Sequence, residues 1–440
     1  MKNNVVFEPR EHGTKIQKHR NNTVLLPLIK DRYSTTIHKT GSEEFASINP
    51  DYEFSLGKGV PIFKYFYVMR FSTVVGQKDL IRHFLNEVNN EKVGHAQLFL
   101  GKPGYGSLPL ALAFVQFLFC ENKGATDSCG KCSSCRKVKN LQHPDLHFSF
   151  PTVQAIGKTS DSMLGEWRQQ LIERPYFNLN TWIKKMDAQE RKPIISVHES
   201  EEIIKKLSLR SYEGGYKVMV IWMAEEMNVS CANKLLKIIE EPPKKTLFIL
   251  LAESQEFMLQ TILSRCQIVK VPRVKTEEIT QHLKNTLNVG SGEAESAASM
   301  GDGDVIEALS LLGSHENQNE NRDQFIQLMR VCYKKDVLEM IQWAENTAAV
   351  SREQQKVFLK YALHMFRQSM LQNYTEDHLT KVSEQEHLFL EKFAQFISGN
   401  NVFDFMKTFN EAHYHIERNA NSKILFTNLS FNVMRYIHGA

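Results

Sequence analysis

The sequence predicts an α/β fold in which a parallel sheet of P-loop type is covered by helices on both faces and followed by an all-helical C-terminal part. Three observations carry this. Apolar runs with strand character alternate with helical patterns from Phe71 to about Val271, the order a parallel sheet requires. The stretch "LFLGKPGYGSLPLALAFVQFLFC", Leu98–Cys120, runs from an apolar strand through a glycine-rich loop into an apolar helix, the setting of a phosphate-binding loop. From about Asp323 onward the apolar residues recur at helical spacing, and strands are over.

The whole chain sets bounds on these elements. At 440 residues it is long enough for two to four domains, each with a core. Hydrophobic residues make up 42% and charged residues 24%, the balance of a soluble globular protein. A formal net charge of +4 is too small to announce a nucleic-acid partner. The apolar run "VMVIWMA" at Val218–Ala224 is far shorter than the roughly 20 residues of a membrane span, so no membrane contact is expected. Seven cysteines, four of them clustered, suit a metal site in a reducing compartment better than a disulfide framework. A cytoplasmic protein is expected.

Residues 1–68 hold no sustained period and no signal-peptide pattern. They are expected to be a disordered extension, or an artefact of a start codon placed ahead of Met69, which an intact-mass measurement on the native protein would decide. In "MRFSTVVGQKDLIRHFLNEV" the residues Leu80, Phe84, Leu85 and Val88 mark the first helix. The loop that follows keeps Gly101 and Gly106 at P-loop separation but offers Ser107 and Leu108 where a triphosphate site needs Lys and Ser/Thr. Strands are then expected at "QLFLG", "DLHFSF", "PIISV", "KVMVIW", "TLFILLAE" and "CQIVKV". The helix of "NKLLKIIEEPP" stops at Pro242 and Pro243. A last stripe, Val357, Phe358, Tyr361, Met365 and Phe366, is read as helix core.

Cys120, Cys129, Cys132 and Cys135 give C-x8-C-x2-C-x2-C just after the P-loop helix. Four soft thiolates in a small turn suit tetrahedral Zn²⁺, and four ligands leave no open position, so the ion would be structural. An iron–sulfur cluster is the rival, but a ferredoxin-like run places its fourth cysteine downstream and before a proline. A colourless protein with one zinc per chain is expected.

The broken P-loop, the cysteine knuckle, "EGGYKVMVIWMAEEMNVSCANKLLKIIEEPP" and "TILSRC" occur in one order. Together they resemble the bacterial DNA polymerase III clamp-loader family, and within it the delta-prime type. The resemblance covers residues 71 to about 315, and more loosely the helical tail at "ERNANSKILFTNLSFNVMRYI". It implies an AAA+ module over 69–272 with its knuckle at 120–135, a helical lid over 273–318 and a collar over 319–440. It also implies gamma/tau-type and delta-type partners in a five-membered ring that places a sliding clamp on primed DNA. Contact with primer-template DNA would come through the assembled complex and contact with the clamp only indirectly, although Lys234 or Lys237 could reach a phosphate.

The residues qualify that resemblance. Trp222 and Met223 stand where active relatives carry Asp-Glu, and Ile306 stands where they carry a lid Arg. Glu225 and Glu226 follow and are read as a solvated helix start. With the Lys, the acidic pair and the lid Arg all absent, the electrostatics of phosphoryl transfer are missing, and no ATP hydrolysis is expected. What the resemblance leaves intact is Arg265 of "SRC", matching the family's arginine finger, which acts in trans on a neighbour's ATP. The readings weighed against this stator are an ATP-hydrolysing gamma/tau-type motor of the same complex, which Ser107 disfavours, and a stand-alone zinc-dependent nucleic-acid-binding protein.

Overall fold

The computed structural model describes residues 55–56, 60–61, 70–188, 191–312, 315–374 and 384–439. The expectations for residues 1–68 therefore lie outside the described residues, apart from the two-residue strands Ser55–Leu56 and Val60–Pro61, which pair antiparallel.

Five strands form one parallel sheet: β1 (Ala96–Leu100), β2 (Leu146–Ser149), β3 (Lys217–Trp222), β4 (Thr246–Ala252) and β5 (Gln267–Lys270), in the spatial order β2-β3-β4-β1-β5. The P-loop strand β1 thus lies inside the sheet. The three central strands are buried along their whole length, as strands covered on both faces must be. Their alternate side chains divide between two cores. Val218, Val220, Trp222, Leu247, Ile249 and Leu251 face one core, and Met219, Ile221, Phe248 and Leu250 face the other.

Helix α1 (Lys78–Asn89) and helix α2 (Ser107–Phe119) cover the first face, with Phe84 stacked on Phe99 and Phe114 at centroid separations of 5.2 and 4.5 Å. Leu80, Ile81 and Val88 of α1 pack against this core with Phe84 and Leu85, which is the stripe read from the sequence. Helix α2 is buried from Ser107 to Leu118, because it runs between the sheet and its neighbours rather than along the surface. Next comes α3 (Ser133–Lys139), followed by α4 (Leu164–Glu173), α5 (Leu179–Lys185) and α6 (Val197–Ser208). Helix α7 (Val229–Glu240) lies on the other face through Cys231, Ala232, Leu235 and Ile239, and the Asn228 side chain caps it by accepting from the Cys231 N–H at 2.7 Å.

One expected strand is not part of the sheet. In "PIISV", Ile194 and Ile195 make isolated bridges to Thr152 and Met227. Pro193 lacks an N–H and α6 begins at Val197, so too few residues are free to extend a ladder.

After β4, a four-residue helix α8 (Gln260–Leu263) precedes β5, and beyond it α9 (Thr276–Leu287), α10 (Ser291–Met300) and α11 (Val305–Leu311) build a small core of Ile279, Leu283, Ala297 and Val305. Val75 and Tyr176, from earlier in the chain, complete it. Helices α12 (His315–Lys334) to α17 (Ser422–His438) enclose a separate core, which includes α14 (Arg352–Tyr374) and α16 (Val402–Glu417). The last stripe read from the sequence divides between the two. Phe358, Tyr361, Met365 and Phe366 are buried in the second core, whereas Val357 packs against the small core of α9–α11, because neighbouring positions on a helix face different sides.

Candidate functional site

The P-loop lies between the end of β1 and α2. Gly106 has φ +87°, a conformation that glycine adopts without cost, and its carbonyl accepts the N–H of Leu110 at 3.0 Å to start the helix. Two of its glycines lie directly under other side chains. A Cβ on Gly104 would fall inside the carboxylate of Asp304, and one on Gly106 would stand 3.2 Å from Cε1 of Tyr176. The Tyr176 hydroxyl accepts the backbone N–H of Val75 at 2.9 Å. Burial pushes the phenol's pKa well above its ordinary value, so it stays neutral. Asp304 caps α11 by accepting from the Glu307 N–H at 3.1 Å, and burial raises its carboxyl as well. Ser107, in the place of the triphosphate lysine, is buried at the first turn of α2.

At the end of β3, Trp222 and Met223 are buried. Trp222 packs against Trp167 and Phe177 at 5.1 and 4.9 Å between ring centroids, so the position of the metal-holding acid belongs to an aromatic wall. The reading of Glu225 as a solvated residue is corrected. The turn Ala224–Glu226 folds back on the end of β4, where Glu225 Oε1 accepts the Glu253 N–H at 2.9 Å and Oε2 is shut off from water without a partner among the described residues. Burial raises its pKa to about 7. Glu226 pairs with Lys192 at 3.3 Å.

Arg265 lies between α8 and β5. Its side chain is 31% exposed, and Nε lies 2.8 Å from Glu240 Oε2 at the end of α7. Of the lysines on α7, Lys234 pairs with Glu201 at 2.6 Å, and Lys237 is exposed.

The four knuckle cysteines come together as the spacing requires. Cys120 ends α2, Cys129 and Cys132 lie in the turn, and Cys135 sits in α3, with all four Sγ atoms within 4.8 Å of one another. Metal–sulfur bonds of about 2.3 Å in a tetrahedron set sulfurs about 3.8 Å apart, and Cys129 Sγ lies 3.9 Å from Cys135 Sγ. Backbone N–H groups point at the sulfurs as they do around bound ions. Cys129 donates to Cys120 Sγ at 3.3 Å, Lys131 and Cys132 donate to Cys129 Sγ at 3.4 and 3.3 Å, and Cys135 donates to Cys132 Sγ at 3.4 Å. The Lys131 and Cys132 amides bring the Cys129 thiol down to about 6, while burial raises Cys120 and Cys135. The donor set and spacing fit a four-coordinate metal ion.

Residues 76–275 match the family described as "DNA polymerase III, delta subunit". The chain is 28% identical over 259 residues to DNA polymerase III subunit delta' of Bacillus subtilis, covering 59% of this chain and 66% of that protein. The delta' subunit of Haemophilus influenzae is 29% identical over 257 residues, 58% of this chain and 66% of its own. Residues 76–275 are thus similar to DNA polymerase III delta' subunits. The tau subunit of Bacillus subtilis is 27% identical over 57% of this chain and 38% of its own length. The matched part thus spans under two thirds of these relatives' lengths. A gamma-subunit-related protein from Thermotoga maritima aligns over 81% of this chain and 99% of its own at TM-score 0.34 and 15% identity, a likeness that does not bear on function.

Of these residues the sequence points to Gly101, Gly106, Ser107, Arg265 and the four cysteines. It had not pointed to Tyr176, Asp304 or Glu240. Tyr176 meets Val75 across a separation of 101 residues, which no periodicity records. Glu240 was visible only as a member of "EEPP".

Proposed function

We propose that this chain is a non-hydrolysing stator subunit of a DNA polymerase III clamp loader, which helps place a sliding clamp on primed DNA and lends Arg265 to the ATP site of a neighbouring gamma/tau-type subunit. The observation that carries the reading is the closed P-loop, where Tyr176 and Asp304 occupy the space over Gly106 and Gly104. Ser107 in the lysine's place offers no cation to the phosphates of a nucleotide, and Trp222 in the acid's place offers no ligand to its magnesium ion. An arginine at the surface, by contrast, stabilises a phosphoryl group held by another subunit. In this reading residues 69–272 are the AAA+ module, 273–318 the lid and 319–440 the collar that joins gamma/tau-type and delta-type partners. Cys120, Cys129, Cys132 and Cys135 hold a structural Zn²⁺ that braces the turn between α2 and α3.

Titration calorimetry of ATP and Mg²⁺ into the purified full chain, with zinc measured on the same sample, tests the closed site. The expected result is no saturable heat and one zinc per chain. Micromolar ATP binding would overturn the reading and make the chain a nucleotide sensor.

A further inference from the structure

The guanidinium of Arg265 is held on two sides. Nε donates to Glu240 Oε2 at 2.8 Å, while Nη1 donates to the Thr261 carbonyl at 3.0 Å and to Ser264 Oγ at 3.3 Å. Among the described residues Nη2 has no hydrogen-bond partner. The two holding elements are separately fixed. Glu240 follows the buried Ile239 at the end of α7, and Thr261 lies in α8, which is anchored by the buried Ile262.

We propose that Glu240 is a positioning residue for Arg265, setting the guanidinium so that its Nη2 edge faces outward toward a phosphoryl oxygen on the adjoining subunit. The inference rests on the function proposed above. The pair is a poor source of stability, because the side chains are 31% and 57% exposed and exposed ion pairs contribute little. A carboxylate at a helix C-terminus also meets the negative end of the dipole. Orientation is what the contact supplies: an arginine free to sample its rotamers must be ordered each time it engages, whereas one tethered at Nε and Nη1 is ordered beforehand.

The test is a double-mutant cycle in the DNA-stimulated ATPase of the assembly reconstituted with gamma/tau-type and delta-type subunits. Glu240→Ala is expected to lower kcat about three- to ten-fold, the loss that follows from freeing one long side chain, with assembly and the KM for ATP little changed. Glu240→Gln, which keeps an acceptor near Nε, should recover most of the rate. In an Arg265→Ala background, Glu240→Ala should cost nothing more. An equal loss in that background would place the role of Glu240 elsewhere and overturn the inference. Full activity of Glu240→Ala beside an inactive Arg265→Ala would also overturn it while leaving the finger standing. Full activity of Arg265→Ala would remove both.

Discussion

Glu225 shows how the chain treats an acid beside a closed site. Its carboxyl is half-buried, with one oxygen shut off from water and a pKa raised to about 7. The folded state therefore holds a proton that the unfolded chain gives up near its ordinary value. Stability from this group is fully present below the unfolded pKa, falls as pH rises toward 7, and stays lost above it. Glu225→Gln removes the penalty, and unfolding at pH 8 should show a gain of roughly 1–2 kcal/mol, discounted for partial exposure, that disappears at pH 4. A gain of equal size at both pH values would show that packing rather than ionisation decides it. The pair "EE" was plain in the sequence, but its burial was not, because the contact that hides Glu225 comes from Glu253, just past the end of β4.

At the scale of elements, the knuckle holds more than itself. Asp127, two residues before Cys129, accepts the N–H groups of Phe71 and Ser72 at 3.1 and 2.9 Å and that of Ser128 at 2.7 Å. Those residues open the segment that leads to Val75, whose N–H goes to Tyr176 over the P-loop. The cysteine turn and the closed loop are thus joined by one run of backbone. Asp127→Asn is expected to leave metal binding by the four cysteines unchanged yet speed amide exchange at Phe71–Val75 about ten-fold, the loss of roughly one charge-assisted bond. Removing the metal with a chelator should do the same. Unchanged exchange in the variant would show that the packing of Phe71 on Phe117, 5.6 Å between centroids, suffices. The four-cysteine spacing was legible because its ligands lie within one turn of chain. The reach of Asp127 to Phe71 was not, since an aspartate in a loop has no periodicity to betray its partner.

Across the whole molecule the same division holds. Strands such as "KVMVIW" and helices such as "LPLALAFVQFLF" declare themselves by composition and period, and with the glycine loop they made the α/β class readable. How the pieces meet had no such signal. Lys360 of α14 pairs with Glu307 of α11, Arg367 lies 3.6 Å from Asp302, and the cleft they border, about 420 Å³, also meets Lys102 of the P-loop. The helices after β5 are thereby tied to the loop that Asp304 closes, which suits a subunit whose geometry does not follow nucleotide binding. The role proposed for Arg265 is to act on a neighbour's nucleotide. Its most direct measurement is DNA-stimulated ATP hydrolysis by the reconstituted assembly carrying Arg265→Ala. An assembly that forms normally and loses at least ten-fold in rate is expected, in line with the large effects of arginine fingers; an unchanged rate would rule that role out.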